Sequence, residues 1–229
     1  MHLVDLSVNF LGSTPIVGGS LPVAVGAAFA TWQQGRNEVT AVFFGEGATE
    51  EGVYSESLNF ASLKKLPIVF VCENNLYSVY SPLSVRQPEG RDRLAVANAL
   101  GIPGGRGNGN DAEEVKRVMS AAVARARRGE GPSFVEFETY RWREHCGVNY
   151  DNNIGYRTEA EFQEWRERDP INEYSRLLLS EGQVKSKDIN AMRAEIAREI
   201  EAAFAEAMAA PAPLAGELTS GIYYNAPRN

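Results

Sequence analysis

The segment from residue 39 to residue 75 constrains the fold most, because it has the pattern of a strand, a helix and a second strand. The run "VTAVFF" predicts a strand from about Val39 to Phe44. The run "PIVFVCENN", which begins at Pro67, is apolar on both faces, as a central strand of a parallel sheet is. The intervening "EEGVYSESLNFASLKKL" predicts a helix. Strands joined by a helix indicate an α/β fold, a parallel sheet with helices on both faces.

The rest of the chain continues this alternation and then becomes helical. "SLPVAVGAAFATWQQG" predicts a buried helix with Ser20 as its N-cap, and residues 1–20 are expected to form a loop before it. Two more helices, each with Asp near its start and Gly at its end, precede a third strand, "PSFVEFETYRW". We therefore predict an α/β domain over residues 1–156. We also predict a helical C-terminal extension over residues 157–229, in which Tyr223 and Tyr224 are core or interface residues.

Charge and cysteine content exclude several classes of protein. The formal net charge is −7, and no face rich in Lys and Arg is evident, so we expect no nucleic-acid partner. The two cysteines, Cys72 and Cys146, form no disulfide framework or metal-binding pair, and Cys72 is predicted to be a buried thiol. No segment approaches the roughly 18 apolar residues of a membrane span. These features lead us to expect a cytoplasmic protein without a membrane partner.

Polar residues follow both of the first two predicted strands, in "GEG" at residues 45–47 and "ENN" at residues 73–75. Parallel strands present their carboxyl ends at one edge of a sheet, so Glu46 and Asn75 can converge there. A carboxylate, an amide and a backbone carbonyl are oxygen ligands suited to Mg²⁺ or Ca²⁺. The turn after Gly47 offers the N–H groups of Ala48 and Thr49 to an anion, as helix N-termini do. The sequence thus predicts a metal site beside an anion site.

These motifs resemble a known family. "GEG" followed by "ENN" is similar to the GDG…NN motif that binds thiamine diphosphate. "NFLGSTPIVGGSLPVAVGAAFA", "GATEEGVYSESLNFASLKKLPIVFVCENNLYSV" and "TYRWREH" resemble the α subunit of the two-subunit 2-oxo acid dehydrogenases, which include pyruvate and acetoin dehydrogenases. The resemblance runs from about Met1 to Leu179. It implies a subunit that uses thiamine diphosphate and Mg²⁺, decarboxylates a 2-oxo acid and transfers the acyl unit to an acceptor.

The resemblance assigns the metal ligands and one catalytic residue. Glu46 and Asn75 would bind the metal through their side chains, and Tyr77 would bind it through its backbone carbonyl. His145, within "TYRWREH", matches the family's histidine at the diphosphate and at the mouth of the active site.

The resemblance also assigns residues to the organic cofactor. Gly45, Gly47 and Ala48 belong to the segment that lies against the diphosphate. Pro15 and Val17, in "TPIVGG", match the segment whose backbone meets the aminopyrimidine ring, and Val17 would support the bent cofactor. In that bent form the cofactor supplies its own base, and the protein supplies orientation.

The partners follow from the resemblance too. A β subunit would carry the pyrimidine-binding half of the site and its glutamate, in an α₂β₂ heterotetramer, and a lipoyl acyltransferase would be the acceptor.

Three features depart from the family pattern. Glu46 replaces an aspartate, and the loop after His145 reads "CGVNYDNNIGY" in place of a serine-containing loop. The chain also lacks the amino-terminal region with the Tyr-Arg pair that binds the diphosphate, so it is a fragment, part of a split subunit or a shortened relative.

Other functions remain open at this stage. The altered loop after His145 is compatible with an acyloin-forming carboligase. The GEG variant and the absent amino-terminal region are compatible with a non-catalytic assembly subunit. A nucleotide-binding Rossmann protein fits least well, because "GEGATEEG" lacks the G-x-G-x-x-G spacing and leaves Asn74 and Asn75 unexplained. Taken singly, Glu46 is also compatible with a helix N-terminal acid, and the two asparagines with a turn.

Overall fold

The computed structural model describes residues 2–220. The strands are β1 (Thr40–Gly45), β2 (Ile68–Asn74), β3 (Tyr77–Ser78), β4 (Ser81–Pro82), β5 (Gly104–Asn108) and β6 (Ser133–Glu138). The helices are α1 (Ser20–Gln33), α2 (Gly52–Lys64), α3 (Leu83–Arg86), α4 (Arg93–Ala99), α5 (Ala112–Arg127), α6 (Glu159–Glu167), α7 (Pro170–Ser180) and α8 (Ser186–Ala209). Four strands form a parallel sheet in the order β1-β2-β6-β5, and β3 pairs with β4 in a separate antiparallel hairpin.

Alternate residues of the central strand β2 point to opposite faces of the sheet, and both faces are buried. Ile68, Phe70 and Cys72 belong to a core with residues of α1 and α2. Val69 and Val71 belong to a second core with residues of α5. The predicted α/β class, with helices on both faces of a parallel sheet, is therefore confirmed, and Cys72 is fully buried as predicted.

Two of the predicted helices begin at their capping aspartates, whereas the predicted cap of α1 is displaced. Asp92 accepts a hydrogen bond from the Ala95 N–H at the start of α4, and Asp111 caps α5 in the same way. The predicted N-cap of α1 is wrong by one residue: Gly19 is the N-cap, and Ser20 already lies in the helix and forms no side-chain cap. Gly19 takes this place because its N–H donates to the Ile16 carbonyl in a turn that ends there.

One strand and one turn differ from the sequence-based expectation. Strand β5 has the sequence "GGRGN", which has little strand propensity, yet it pairs with β6 along its whole length. A Cβ atom at Gly104 would collide with the Phe134 carbonyl of β6, so the close approach of these two strands requires glycine there. The expected loop at the amino end also contains a 3₁₀ turn, Leu6–Val8, closed by a bridge between Asp5 and Phe10.

The C-terminal part is helical, as predicted. The chain divides by its contacts into two units, Met1–Tyr174 and Ser175–Asn229. Helix α6 belongs to the first unit, where Phe162 is buried beside Tyr77 and Tyr140. The division between residues 156 and 157 as a domain boundary stays a prediction. Tyr223 and Tyr224 lie outside the described residues, within which no helix has the length and apolar character to cross a bilayer.

Candidate functional site

The site lies where β1 and β2 end, and it is positioned by their register. The two strands are parallel neighbours, as the sequence predicts, and Gly45 pairs with Glu73. Glu46 and Asn75 therefore leave the sheet at the same edge, one or two residues beyond that last pair. This placement is what a shared ligand for the two side chains requires.

Glu46 is a buried carboxylate that opens a short turn. Only 1% of the residue is exposed. It begins a 3₁₀ helix, Glu46–Glu50, which the Thr49 hydroxyl closes by donating to the Glu46 carbonyl at 2.7 Å. The turn therefore precedes the helix, as the sequence predicts, and α2 begins at Gly52, two residues beyond the start of the predicted segment. A carboxylate this buried needs a cation or several donors to remain ionised.

Arg86, at the end of α3, provides that cation. Its Nη2 donates to the Glu46 Oε1 at 2.5 Å, and its Nη1 donates to Glu50. Its Nε donates to the Ser81 carbonyl at 3.0 Å, which fixes the guanidinium in place. Sequence reasoning missed Arg86. The signal available was indirect: a buried Glu46 requires a positive partner, and Arg86 stands in an irregular segment with several other arginines.

The Asn74–Asn75 pair forms the tight turn after β2. The Asn75 Oδ1 accepts from the Tyr77 N–H at 3.2 Å, and the Asn74 Oδ1 accepts from the Leu76 N–H at 3.2 Å. Leu76 has a φ of 73°, a left-handed conformation that is unfavourable for leucine and is held here by these two bonds. An amide oxygen has two lone pairs, so Asn75 can stabilise the turn and still bind a cation. The turn and ligand interpretations are thus compatible.

A buried ion pair lies behind this turn. The Asn74 Nδ2 donates to the Glu136 Oε1 at 3.0 Å, and the same carboxylate accepts from Arg93 Nε at 2.9 Å and from its Nη2. Glu136 is 1% exposed and Arg93 is 8% exposed. The Arg93 Nη1 also donates to Gln87, which connects the ion pair to the segment after α3. The network fixes Asn74, and through it the turn that carries Asn75.

Gly45, Gly47 and Ala48, the residues predicted to contact the diphosphate, lie at the end of β1 and in the turn that follows it. A Cβ at Gly47 would lie 2.9 Å from the Ser78 Oγ and 3.4 Å from the Arg86 Nη1, so glycine permits the close packing seen there. Gly45 is exposed at the end of β1, and Ala48 is buried in the 3₁₀ turn. Their contact with a diphosphate stays a prediction.

The predicted aminopyrimidine segment lies beside the turn that carries Glu46. A Cβ at Gly18 would lie 3.2 Å from the Glu51 Cβ and the Val53 Cγ1, so this segment packs on the start of α2. Pro15 is exposed, and Val17 is 55% exposed. The structure therefore brings the segment to the same corner, whereas the contact of Pro15 and Val17 with a ring stays a prediction.

His145 is exposed and forms no hydrogen bond to Glu46 or Asn75 in the described part of the chain. The loop that carries His145 is connected to the site by a hydrogen bond to the segment after β3. The Arg141 Nη2 donates to the Val79 carbonyl at 2.7 Å, directly after β3. The Tyr77 hydroxyl donates to Glu161 of α6 at 2.7 Å, and burial together with this bond raises the pKa of Tyr77. The catalytic role of His145 stays a prediction.

The donor set fits a hard divalent cation. Within residues 2–220, no group of three His, Cys, Asp or Glu side chains could hold a metal. The predicted set needs only one carboxylate, Glu46, with the Asn75 amide oxygen and the Tyr77 carbonyl, and Mg²⁺ usually takes one or two carboxylates and completes its shell with water and phosphate oxygens. The chemistry of these donors and the close packing at Gly47 match that requirement. Arg86 already occupies one oxygen of the carboxylate.

A buried carboxylate and an amide at the ends of adjacent parallel strands define an α/β protein with a polar cluster at its strand ends. The family model described as dehydrogenase E1 component matches residues 1–215, and the chain belongs to that family.

The chain is similar over almost its whole length to named members of the family. It is 35% identical to pyruvate dehydrogenase E1 component subunit alpha-3, chloroplastic, of Arabidopsis thaliana, over 97% of this chain and 53% of that protein. It is 36% identical to pyruvate dehydrogenase E1 component subunit alpha of Porphyra purpurea, over 97% and 66%. It is 35% identical to the somatic mitochondrial alpha subunit of Sus scrofa, over 99% and 57%. The chain thus spans between half and two thirds of the length of these relatives.

Proposed function

We propose that the chain is an α-type subunit of a 2-oxo acid dehydrogenase that requires thiamine diphosphate and Mg²⁺. It decarboxylates a 2-oxo acid and passes the acyl unit to an acceptor. The observation that carries the proposal is the convergence of Glu46 and Asn75 at one sheet edge, in a chain of the dehydrogenase E1 family. Relatives named pyruvate dehydrogenase favour pyruvate as the 2-oxo acid.

Each group of residues has a separate task in this proposal. Glu46, Asn75 and the Tyr77 carbonyl hold the metal ion, and the backbone at Gly47 and Ala48 lies against the diphosphate. Thiamine diphosphate, when bound, supplies the nucleophilic carbon and its own base. The protein's contribution is orientation, and the Asn74–Glu136 bond at 3.0 Å beneath the turn keeps that orientation fixed.

Further residues serve the substrate side. Val17 and the backbone at Pro15 would support the aminopyrimidine ring, and His145 would stand at the mouth, where its imidazole would hold or donate a proton to a substrate oxygen. The exposure of His145 leaves its side chain accessible to a partner that would complete the pocket.

We propose that this partner is a β subunit carrying the pyrimidine-binding half of the site, in an α₂β₂ heterotetramer. A lipoyl acyltransferase is the acceptor. The two cysteines are free, which suits a reducing cytoplasm. Relatives named as chloroplastic and mitochondrial show that the family also works in organelles.

Calorimetric titration of thiamine diphosphate in the presence of Mg²⁺ tests the proposal. It is carried out on the chain alone and together with a candidate β subunit. We expect binding that requires Mg²⁺, is strengthened by the β subunit, and is lost in Glu46→Ala and Asn75→Ala. The matched controls are Glu38→Ala and Asn98→Ala, which remove the same groups at exposed positions.

Two results would contradict the proposal. The first is the absence of Mg²⁺-dependent binding even with the β subunit present, which favours an assembly subunit. The second is binding that survives both site variants, which would place the cofactor elsewhere.

A second candidate acceptor is favoured by the loop after His145. The segment is closed on itself, because the Glu144 N–H donates to the Asn149 carbonyl and the Asn149 Nδ2 donates to the Glu144 carboxylate, both at 2.9 Å. It contains no serine between residues 144 and 156. An acyloin-forming carboligase would use a small aldehyde there. Turnover with acetaldehyde but not with a lipoyl domain would select this candidate over the dehydrogenase.

A further inference from the structure

The Glu46 carboxylate is bound by Arg86 and is also the proposed ligand of a metal ion. Its Oε1 accepts a hydrogen bond from the Arg86 Nη2 at 2.5 Å. The side chains of Arg86 and Glu46 are 11% and 1% exposed, so the pair is well shielded from water. A divalent cation at the same carboxylate would stand next to the guanidinium, where two positive charges repel each other strongly. A metal ion that takes Oε1 must therefore displace the guanidinium, so at this oxygen the ion pair and the metal ion are alternatives.

We infer that Arg86 is an internal cation that competes with the divalent metal ion for Glu46. The inference rests on the proposed metal site. Arg86 pairs with Glu46, and a metal ion at this carboxylate would exchange that one contact. The chain's own side chain thereby sets the concentration of metal at which the site fills.

The other contacts of Arg86 make such an exchange feasible. Its Nε is held by the Ser81 carbonyl at 3.0 Å, and its Nη1 is held by Glu50. Gln87 also donates to Glu50 at 2.7 Å and fixes that second carboxylate. If Glu46 turns to a metal ion, Arg86 loses one of its three partners and remains paired. No bare charge is left behind, so the exchange avoids the large cost of a buried unpaired cation.

Glutamate in place of the family's aspartate at position 46 agrees with this inference. The additional methylene group lets the carboxylate extend from the start of the 3₁₀ turn to Arg86. An aspartate at the same backbone position ends one carbon–carbon bond earlier and falls short of the guanidinium. Glu46→Asp should therefore weaken the pairing with Arg86 without removing the carboxylate.

The size of the effect follows from the population of the free carboxylate. An apparent dissociation constant is the intrinsic constant divided by the competent fraction, so pairing for about nine tenths of the time weakens binding about tenfold. Arg86→Gln removes the competitor and keeps a polar side chain. We expect it to tighten metal binding about tenfold or more.

The experiment titrates Mn²⁺ alone into the full chain and measures free Mn²⁺ by electron paramagnetic resonance. The variants are Arg86→Gln, Glu46→Asp and Glu46→Gln, and the matched control is Arg91→Gln. Arg91 also stands at this turn, where its Nη2 donates to the Thr49 carbonyl at 2.5 Å, but it does not bind Glu46. The control therefore separates the loss of a nearby positive charge from the release of Glu46.

Tighter binding in Arg86→Gln and Glu46→Asp, with Arg91→Gln close to the wild type and Glu46→Gln without binding, supports the inference. Should Arg86→Gln not fold, Glu46→Asp carries the test alone. Binding that depends on Glu46 but is unchanged or weakened in both variants overturns the inference and leaves the proposed function standing. No Mn²⁺ binding by the wild type or by either variant overturns the inference, and the proposed function is then decided by the titration with thiamine diphosphate.

Discussion

Replacing Arg93 by methionine should destabilise the protein, because it breaks the buried ion pair with Glu136 that holds the Asn74–Asn75 turn in place. The change keeps a long side chain but removes the guanidinium that faces Glu136. The carboxylate remains 1% exposed, and its surviving partners are the Asn74 Nδ2 at 3.0 Å and the Arg106 Nε at 3.4 Å. A buried charge that loses its main partner is among the most destabilising defects in a protein.

The magnitude follows from what is left. Removing one partner of a buried ion pair costs about 3–5 kcal/mol. Arg106 continues to face Glu136, although its side chain is 43% exposed and so provides weak compensation. We therefore expect the lower end, a loss of about 3 kcal/mol in the free energy of unfolding. For a chain of this length, that loss corresponds to a fall in Tm of about 6–12 °C.

Tryptophan fluorescence provides the assay. The chain has three tryptophans, and all of them lie within Met1–Tyr174, so the signal reports the unit that contains the ion pair. The control is Arg36→Met, which breaks a pair with Glu38 in which the side chains are 50% and 59% exposed. Exposed pairs contribute little, so we expect a change of less than about 1 kcal/mol there.

A double variant makes the test decisive. Arg93→Met combined with Glu136→Gln removes both charges and keeps an acceptor for Asn74, so it should recover at least about 1 kcal/mol relative to Arg93→Met alone. An Arg93→Met protein as stable as the Arg36→Met control would refute the reasoning. So would a double variant that is less stable than Arg93→Met.

Three further predictions follow from other parts of the first unit. Gly47→Ala should cost about 1–3 kcal/mol by urea denaturation, because its Cβ would crowd the Ser78 Oγ, and Ser78→Gly should restore part of the loss. Burial raises the pKa of Tyr140 from 10.0 to about 12, which favours the neutral phenol in the folded state. The free energy of unfolding should therefore be unaffected by this group below pH 10 and should fall as the pH rises from 10 towards 12. A free energy of unfolding that stays constant over this range would contradict the prediction. In a thiol titration, the exposed Cys146 should react at once and the buried Cys72 only on unfolding, and Cys146→Ser should remove the fast phase.

The strands and caps that the sequence predicts correctly depend on local patterns. The apolar run favours strand β2 over its own length, and the aspartates before α4 and α5 accept hydrogen bonds from N–H groups two or three residues further on. The placement of Glu46 and Asn75 at one edge of the sheet was also predictable, because adjacent parallel strands end there together.

The features that the sequence does not predict depend on contacts between distant segments. Strand β5 exists because Gly104 fits against the Phe134 carbonyl of β6, and propensity carries no information about that contact. The pairing of Glu46 with Arg86 joins residues 40 positions apart, with α2, β2 and the hairpin of β3 and β4 between them. Charge alone does not identify Arg86 among the neighbouring arginines. Such a contact requires the folded chain.

The loop that carries His145 is tied at both of its ends. Arg141 donates to the Val79 carbonyl, and Arg157, which is buried with Asp151, donates back to the Arg141 carbonyl at 2.5 Å. The loop between these ties can therefore change in sequence and length while its ends stay in register with the sheet, and added residues cost little closure entropy. Exchanging this loop would leave the turn at Glu46 and the two cores of the sheet as they are.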